Sequence, residues 1–94
     1  MPFYRFLIHG SGKIAMPERI GGFYTTRWAF APTEDLAAAK AIRALRREWL
    51  TGAYKGKCEG GVPSMAVETA RRIGMHEIGN APNKGYTFYS EEDA

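Results

Sequence analysis

The sequence predicts an α+β two-layer sandwich, in which a mainly antiparallel sheet of about four strands carries one long helix on one face. Only residues 33–51 contain a long run of strong helix formers without glycine or proline. Four segments rich in aromatic and β-branched residues flank that run, two on each side, which gives the order β-β-α-β-β. With 94 residues and 13% aromatic side chains, the chain can build one thin core between a helix and a sheet.

The first strand is expected over residues 3–9, FYRFLIH, a compact aromatic and aliphatic run. Alternation divides it into two faces, one with Tyr4, Phe6 and Ile8, the other with Phe3, Arg5, Leu7 and His9. A glycine-rich connection follows, at residues 10–22. It predicts either a hairpin extended by a bulge near Lys13 and Ile14 or a surface loop.

The second strand is expected over residues 21–31, GGFYTTRWAFA. Its even positions are the bulkier set, and its odd positions include an arginine; the two sets are Tyr24, Thr26, Trp28 and Phe30, and Phe23, Thr25, Arg27 and Ala29. Because large apolar groups favour burial, we expect the even set to form the core face under the helix.

The helix is expected to begin after Thr33, which can cap it, with Glu34 and Asp35 at the positive end of its dipole. Gly52 can end it in a left-handed conformation. At about 100° per residue, one stripe is apolar, formed by Ala38, Ala41, Ile42, Leu45 and Trp49. Much of the remaining surface is cationic, formed by Lys40, Arg43, Arg46 and Arg47.

The remaining segments complete the sheet. Residues 51–63 are rich in glycine and read as a mobile loop. Residues 64–78 alternate as a strand does, although Ser64 also allows a short capped helix; we favour the strand, because a helix over a lone hairpin makes a poor core. After a predicted turn at residues 80–85, the run YTFY at 86–89 reads as a last short strand.

One helix covers only one side of such a sheet, so the other side is expected to be open. The residues assigned to this open side mix aromatic, aliphatic and basic groups: Phe3, Arg5, Leu7, Phe23 and Arg27. That mixture is typical of protein interfaces, and we predict that a second copy of the chain or another protein covers it.

Composition limits the classes of protein to consider. We expect a single domain over residues 1–90 and an acidic tail over 91–94, which holds three of the ten acidic residues. The domain therefore carries 13 basic and 7 acidic side chains, a net charge of +6. The single cysteine, Cys58, and the lack of a signal-peptide or membrane-spanning pattern predict a cytoplasmic protein without a membrane partner.

No motif for catalysis, a metal or a cofactor is complete. The stretch HGSGK at 9–13 resembles the end of a phosphate-binding loop, but Leu7 replaces its first glycine, Ile14 replaces the magnesium-binding Ser or Thr, and no helix follows. Cys58, His9 and His76 have no short metal-ligand spacing and no recognisable orienting partner. We therefore predict a protein that is not an enzyme and holds no metal or cofactor.

Three functions remain. The first is a small binding or assembly module that forms homo-oligomers through the open sheet face. The second is a nucleic-acid-binding domain whose candidate phosphate ligands are Arg5, Arg27, Lys40, Arg43, Arg46 and Arg47. The four cations among these that lie on the helix also have a simpler interpretation, in which they form a solvated face and the arginines complement the negative end of the helix dipole. The third function is an accessory or inhibitory subunit of a larger complex.

Overall fold

The computed structural model describes residues 2–15, 19–80 and 85–90. Its elements are β1 (Phe3–Ala15), β2 (Arg19–Phe30), α1 (Glu34–Thr51), β3 (Ser64–Ile73), a 3₁₀ helix (Met75–Asn80) and β4 (Thr87–Ser90). The predicted α+β fold is confirmed, with one helix against a four-stranded antiparallel sheet. The 3₁₀ helix is an addition to the predicted order. The acidic tail at 91–94 and most of the predicted turn at 80–85 lie outside the described residues.

The sheet has the strand order β3-β1-β2-β4, so the first hairpin forms its centre and the two later strands form its edges. Phe6 lies opposite Arg27 and Ile8 opposite Thr25 in the central pair. That pairing continues to Ala15 and Arg19, with a register shift between Ser11 and Ile14. The extended hairpin with a bulge is therefore the alternative that the structure adopts.

The core on the helix side has two parts. One lies between α1 and the sheet centre, and its buried residues are Phe6, Ile8, Ala29, Ala31, Ala37, Ala41 and Leu45. The other lies under the end of α1, and its buried residues are Ile14, Phe23, Trp49 and Cys58. In the first part, alanines on strand and helix let the two layers approach closely, while the second is filled by large rings.

Both predicted ends of the helix are at the right residues, but Gly52 does not have the left-handed conformation that was expected at the C-terminal end. The Thr33 hydroxyl accepts a hydrogen bond from the Leu36 amide, as an N-cap does. Gly52 has φ −93°, which is outside the left-handed region, and its amide donates to the Glu48 carbonyl. Glycine is needed there because a Cβ would lie 2.6 Å from that carbonyl oxygen. The close approach of the Gly52 backbone to the Glu48 carbonyl, and not a left-handed backbone conformation, therefore explains the glycine at this position.

The segment after the helix is held to the hairpin by backbone hydrogen bonds. The Ala15 amide donates to the Lys57 carbonyl at 2.6 Å, and the Glu59 amide donates to the Lys13 carbonyl at 2.9 Å. Residues 64–73 then form an edge strand, as favoured. Residues 52–63 pack on the helix side, since Tyr54, Cys58 and Val62 belong to the second core cluster.

The assignment of the two faces of β2 was wrong. The odd residues lie under the helix: Phe23 is 0% exposed and Arg27 4%. The even residues Tyr24, Thr26, Trp28 and Phe30 lie on the opposite face, beside Phe3, Arg5 and Leu7 of β1. Register explains the inversion, because the residues of β1 that face the helix, Phe6 and Ile8, pair with odd residues of β2.

Candidate functional site

We define the open face as the side of the sheet turned away from α1. Its residues on the two central strands are Phe3, Arg5, Leu7, His9, Tyr24, Thr26, Trp28 and Phe30. Each keeps partial or full exposure in the described structure, and Tyr24 is 41% exposed. An antiparallel sheet with one solvated face normally places polar residues there, so this aromatic surface is unusual.

One end of the open face is a cluster of three aromatic rings. Phe3 stacks on Phe30 with ring centroids 4.5 Å apart, and Phe3 meets Trp28 edge to face at 5.9 Å. Phe3 and Phe30 occupy opposite positions on β1 and β2, and Trp28 lies two residues from Phe30 on the same face of β2. Cross-strand aromatic pairs stabilise a sheet and also form a broad apolar surface.

The other end is built around His9. Its ring stacks on Tyr24 at 4.8 Å, and its Nε2 lies 2.6 Å from the Tyr89 hydroxyl on β4. Its Nδ1 lies 3.6 Å from Glu68, the extra residue where the pairing of β1 with β3 shifts register. The cluster links all four strands, and the sequence reasoning missed it because its members are 80 residues apart.

Between the two ends lies a shallow hollow of about 580 Å³, lined by Arg5, Leu7, Thr26, Thr69, Ala70 and Arg71. Arg5 and Arg71 are directly opposite each other on adjacent strands. Arg71 is 3.4 Å from Glu77 of the 3₁₀ helix, whereas Arg5 has no acidic partner among the described residues. With Glu68 nearby, two cations and two carboxylates border the open face, so its described charges balance.

The five residues predicted to form the interface lie on two different faces of the sheet. Phe3, Arg5 and Leu7 lie on the open face as expected. Phe23 and Arg27 do not, because both are buried on the helix side. Arg27 is accordingly excluded as a phosphate ligand on the open sheet, and a charge introduced at Phe23 would disrupt the core instead of a surface.

Arg27 is the centre of a polar network that joins β2, α1 and the approach to β4. Its guanidinium donates to both Glu48 oxygens, at 2.6 and 3.3 Å, and to the Thr25 hydroxyl at 2.9 Å. The same guanidinium lies 5.1 Å from the centre of the Tyr86 ring. The Tyr86 hydroxyl donates to Glu48 at 2.7 Å. Burial, together with this hydrogen bond, raises the pKa of Tyr86 above its ordinary range.

A sequence signal for this network existed. Glu48 falls on the same side of the helical wheel as Leu45 and Trp49, within the apolar stripe. A carboxylate on the buried side of a helix needs a cation or several hydrogen-bond donors. Arg27 is the only arginine in the second predicted strand, residues 21–31, so it was the cation of that strand that could pair with Glu48.

The outward side of α1 is a second candidate surface. Lys40, Arg43, Arg46 and Arg47 are all exposed there, as the sequence predicted. Lys40 donates to the Phe30 carbonyl at 3.0 Å, and the three arginines have no acidic partner among the described side chains. The last turn of the helix contains no basic residue, which weakens the interpretation that these arginines serve the helix dipole.

The residues considered for catalysis do not form a site. Cys58 is buried in the second core cluster on the helix side and forms an isolated β-bridge with Ile14, whereas His9 lies on the open face. Burial raises the pKa of its thiol, which disfavours the reactive thiolate. Gly12 and Lys13 of HGSGK line a cleft of about 640 Å³ with Cys58 and Glu59. Within the described ranges, no group of three or more potential metal ligands comes together.

In the described part of the chain, α1 is the only helix of 18 residues, and it is too polar to cross a membrane. The comparisons with known proteins add no family assignment. The chain matches no protein-family model, no curated protein and no solved structure. The candidate surfaces are therefore judged on their own geometry and charge.

Proposed function

We propose that this protein is a small non-catalytic assembly module of a reducing cytoplasm, which forms a homodimer by packing two open faces together. The observation that carries the proposal is the aromatic, charge-balanced open face described above. Aromatic residues and arginine are enriched in the energetically important centres of protein interfaces. The cluster of Phe3, Trp28 and Phe30 would supply the apolar area, with Arg5 and Arg71 beside it.

Charge balance favours a second copy as the partner. In a two-fold contact the same surface meets itself, so an uncompensated charge would face its own image. Here Arg5 and Arg71 are matched in number by Glu68 and Glu77, and Arg5, which lacks an acidic partner within the described chain, is free to pair with a carboxylate across the interface.

The size of the face suits a small interface. Three long strands about 4.8 Å apart, with roughly 3.3 Å per residue over ten residues, cover about 14 by 33 Å. That projection is about 460 Å², a little over half of the roughly 800 Å² per partner of a standard interface, and side-chain relief makes the accessible area larger. A face-to-face pair of sheets would bury the aromatic cluster in the way that two-sheet sandwiches do.

The sheet edges are less suitable for assembly. β4 is only four residues long, and β3 carries a register shift at Glu68 together with exposed Arg71 and Arg72. Short strands, bulges and charged side chains all hinder edge-to-edge pairing. The open face is therefore a better contact surface than either edge.

Sedimentation velocity tests the proposal. The wild-type protein should sediment as a dimer at micromolar concentration. Thr26→Arg, at the centre of the face, should yield monomers, because it places a bulky cation beside Arg5 and its symmetry mate. Thr51→Arg, on the exposed end of α1, is the matched control and should remain dimeric.

A wild-type monomer at high micromolar concentration would reject homodimerisation and leave the open face available to a different protein, as in an accessory subunit. A Thr26→Arg protein that dimerises like the wild type would place the dimer contact elsewhere. Circular dichroism of both variants should show the wild-type fold, since both positions are at least partly exposed.

A further inference from the structure

We infer that the outward side of α1 is a binding surface for the phosphate backbone of double-stranded nucleic acid. Its three arginines lie on the side of the helix turned away from the sheet, and Lys40 lies at the edge of that side, where it donates to the Phe30 carbonyl. None of the four is on the open face, so the inference does not depend on the homodimer. Its cationic residues, which we call the helix cations, are Lys40, Arg43, Arg46 and Arg47.

The first argument is that no carboxylate among the described residues pairs with any of these cations, although Lys40 donates to the Phe30 carbonyl. Lys40, Arg43 and Arg46 follow one another at intervals of three residues, and Arg47 lies four residues after Arg43, so these pairs are neighbours on the helix surface. Like charges at such spacings destabilise a helix. Glu48, the nearest acidic residue in sequence, is turned inward to Arg27. A bound polyanion would replace this repulsion with attraction.

The second argument is spacing. From Lys40 to Arg47 the helix rises about 10.5 Å, at 1.5 Å per residue. One strand of a duplex places a phosphate about every 3.4 Å along its axis, so the helix cations span about three phosphates. Three of the four helix cations are arginines, and arginine can bind a phosphate through two parallel hydrogen bonds.

A duplex fits these observations better than a membrane surface does. Helices that lie in a bilayer interface insert an apolar stripe into the lipid. The apolar stripe of α1 is already buried against the sheet through Ala37, Ala41, Leu45 and Trp49. Its outward side offers only the separated leucines Leu36 and Leu50 as large apolar groups, 56% and 48% exposed.

Fluorescence anisotropy with a labelled mixed-sequence DNA duplex of about 20 base pairs tests the inference, over a range of salt concentrations. Arg43→Gln/Arg47→Gln should lower affinity about tenfold or more at low salt and reduce the slope of log affinity against log salt by about 1.8, which corresponds to two lost phosphate contacts. Both residues are exposed, so the variant should fold.

The matched control is Arg72→Gln/Lys13→Gln, which removes two exposed cations from other parts of the molecule. It should bind the duplex within about twofold of the wild type, since neither cation belongs to α1. An equal loss in the control would show a response to net charge alone and overturn the inference. Failure of the wild type to bind duplex at low salt would do the same, as would binding only to single-stranded DNA or only to anionic phospholipid vesicles.

Discussion

The same strands build both faces of this sheet, yet the buried face contains a charged side chain and the open face contains the larger aromatic ones. The helix-covered face contains a buried arginine, Arg27, while the open face contains Trp28, the next residue along β2. Judged by polarity alone, the more apolar set of β2 would lie inside. The structure places it outside, so average hydrophobicity did not decide which face α1 covers.

Space and pairing explain the difference. Thr25 and Ala29 of β2, and Ala31 just after the strand, are small buried residues that leave room for the helix. Gly10 leaves room for the ring of Phe23, which would overlap any side chain at that position. Arg27 is tolerated because Glu48, Thr25 and the Gly85 carbonyl accept its hydrogen bonds. A buried arginine whose three guanidinium nitrogens all donate hydrogen bonds can thus occupy the helix-covered face.

The largest expected effect contrasts two phenylalanines. Phe23→Ala should cost about 3–5 kcal/mol of the free energy of unfolding, because it empties a fully buried site among Trp49, Tyr86 and Phe88. Phe3→Ala, on the open face, should cost about 1–2 kcal/mol, since its ring is only partly buried. Urea unfolding of both in a Thr26→Arg background would measure the monomer alone. Equal losses would contradict the assignment of the two faces.

The second contrast is between two ion pairs. Glu48→Gln should cost about 3 kcal/mol, at the low end for breaking a buried pair because Glu48 itself is partly exposed, and it leaves the Arg27 charge without a carboxylate. Glu77→Gln, which removes the exposed partner of Arg71, should have a much smaller effect. Thermal and urea unfolding near neutral pH measure both. A larger loss for Glu77→Gln would mean that the Arg27 network is not important to stability.

The smallest contrast concerns two tyrosines at alkaline pH. Because the fold raises the pKa of Tyr86 above its ordinary value of 10.0, the folded state holds the neutral hydroxyl more tightly than the unfolded chain does. This stabilisation is complete below about pH 10 and is lost as the pH rises beyond it. Tyr86→Phe should therefore show a flatter decline of stability between neutral and alkaline pH. Tyr24→Phe, an exposed tyrosine of the open face, serves as the control and should decline as the wild type does.

Local patterns were sufficient to predict the long helix and the four strands, but not the 3₁₀ helix. The capping threonine and the long run of helix formers defined α1, and alternation identified the strands, including the ambiguous segment that became β3. The exposure of the helix cations could also be predicted from the sequence, because their side of the helical wheel has few apolar residues that a core could bury. These features depend on residues close in sequence, whose preferences do not need the rest of the fold.

By itself, the sequence determined that a single helix would lie against an antiparallel sheet and leave one side open. Which side of β2 lay open was decided only by tertiary structure. Register between β1 and β2, the small residues that admit α1, and the partnership of Arg27 with Glu48 all join positions distant along the chain. A shift of one residue reverses every side chain of a strand, so such distant contacts, and not the composition of the strand, select the face that is buried.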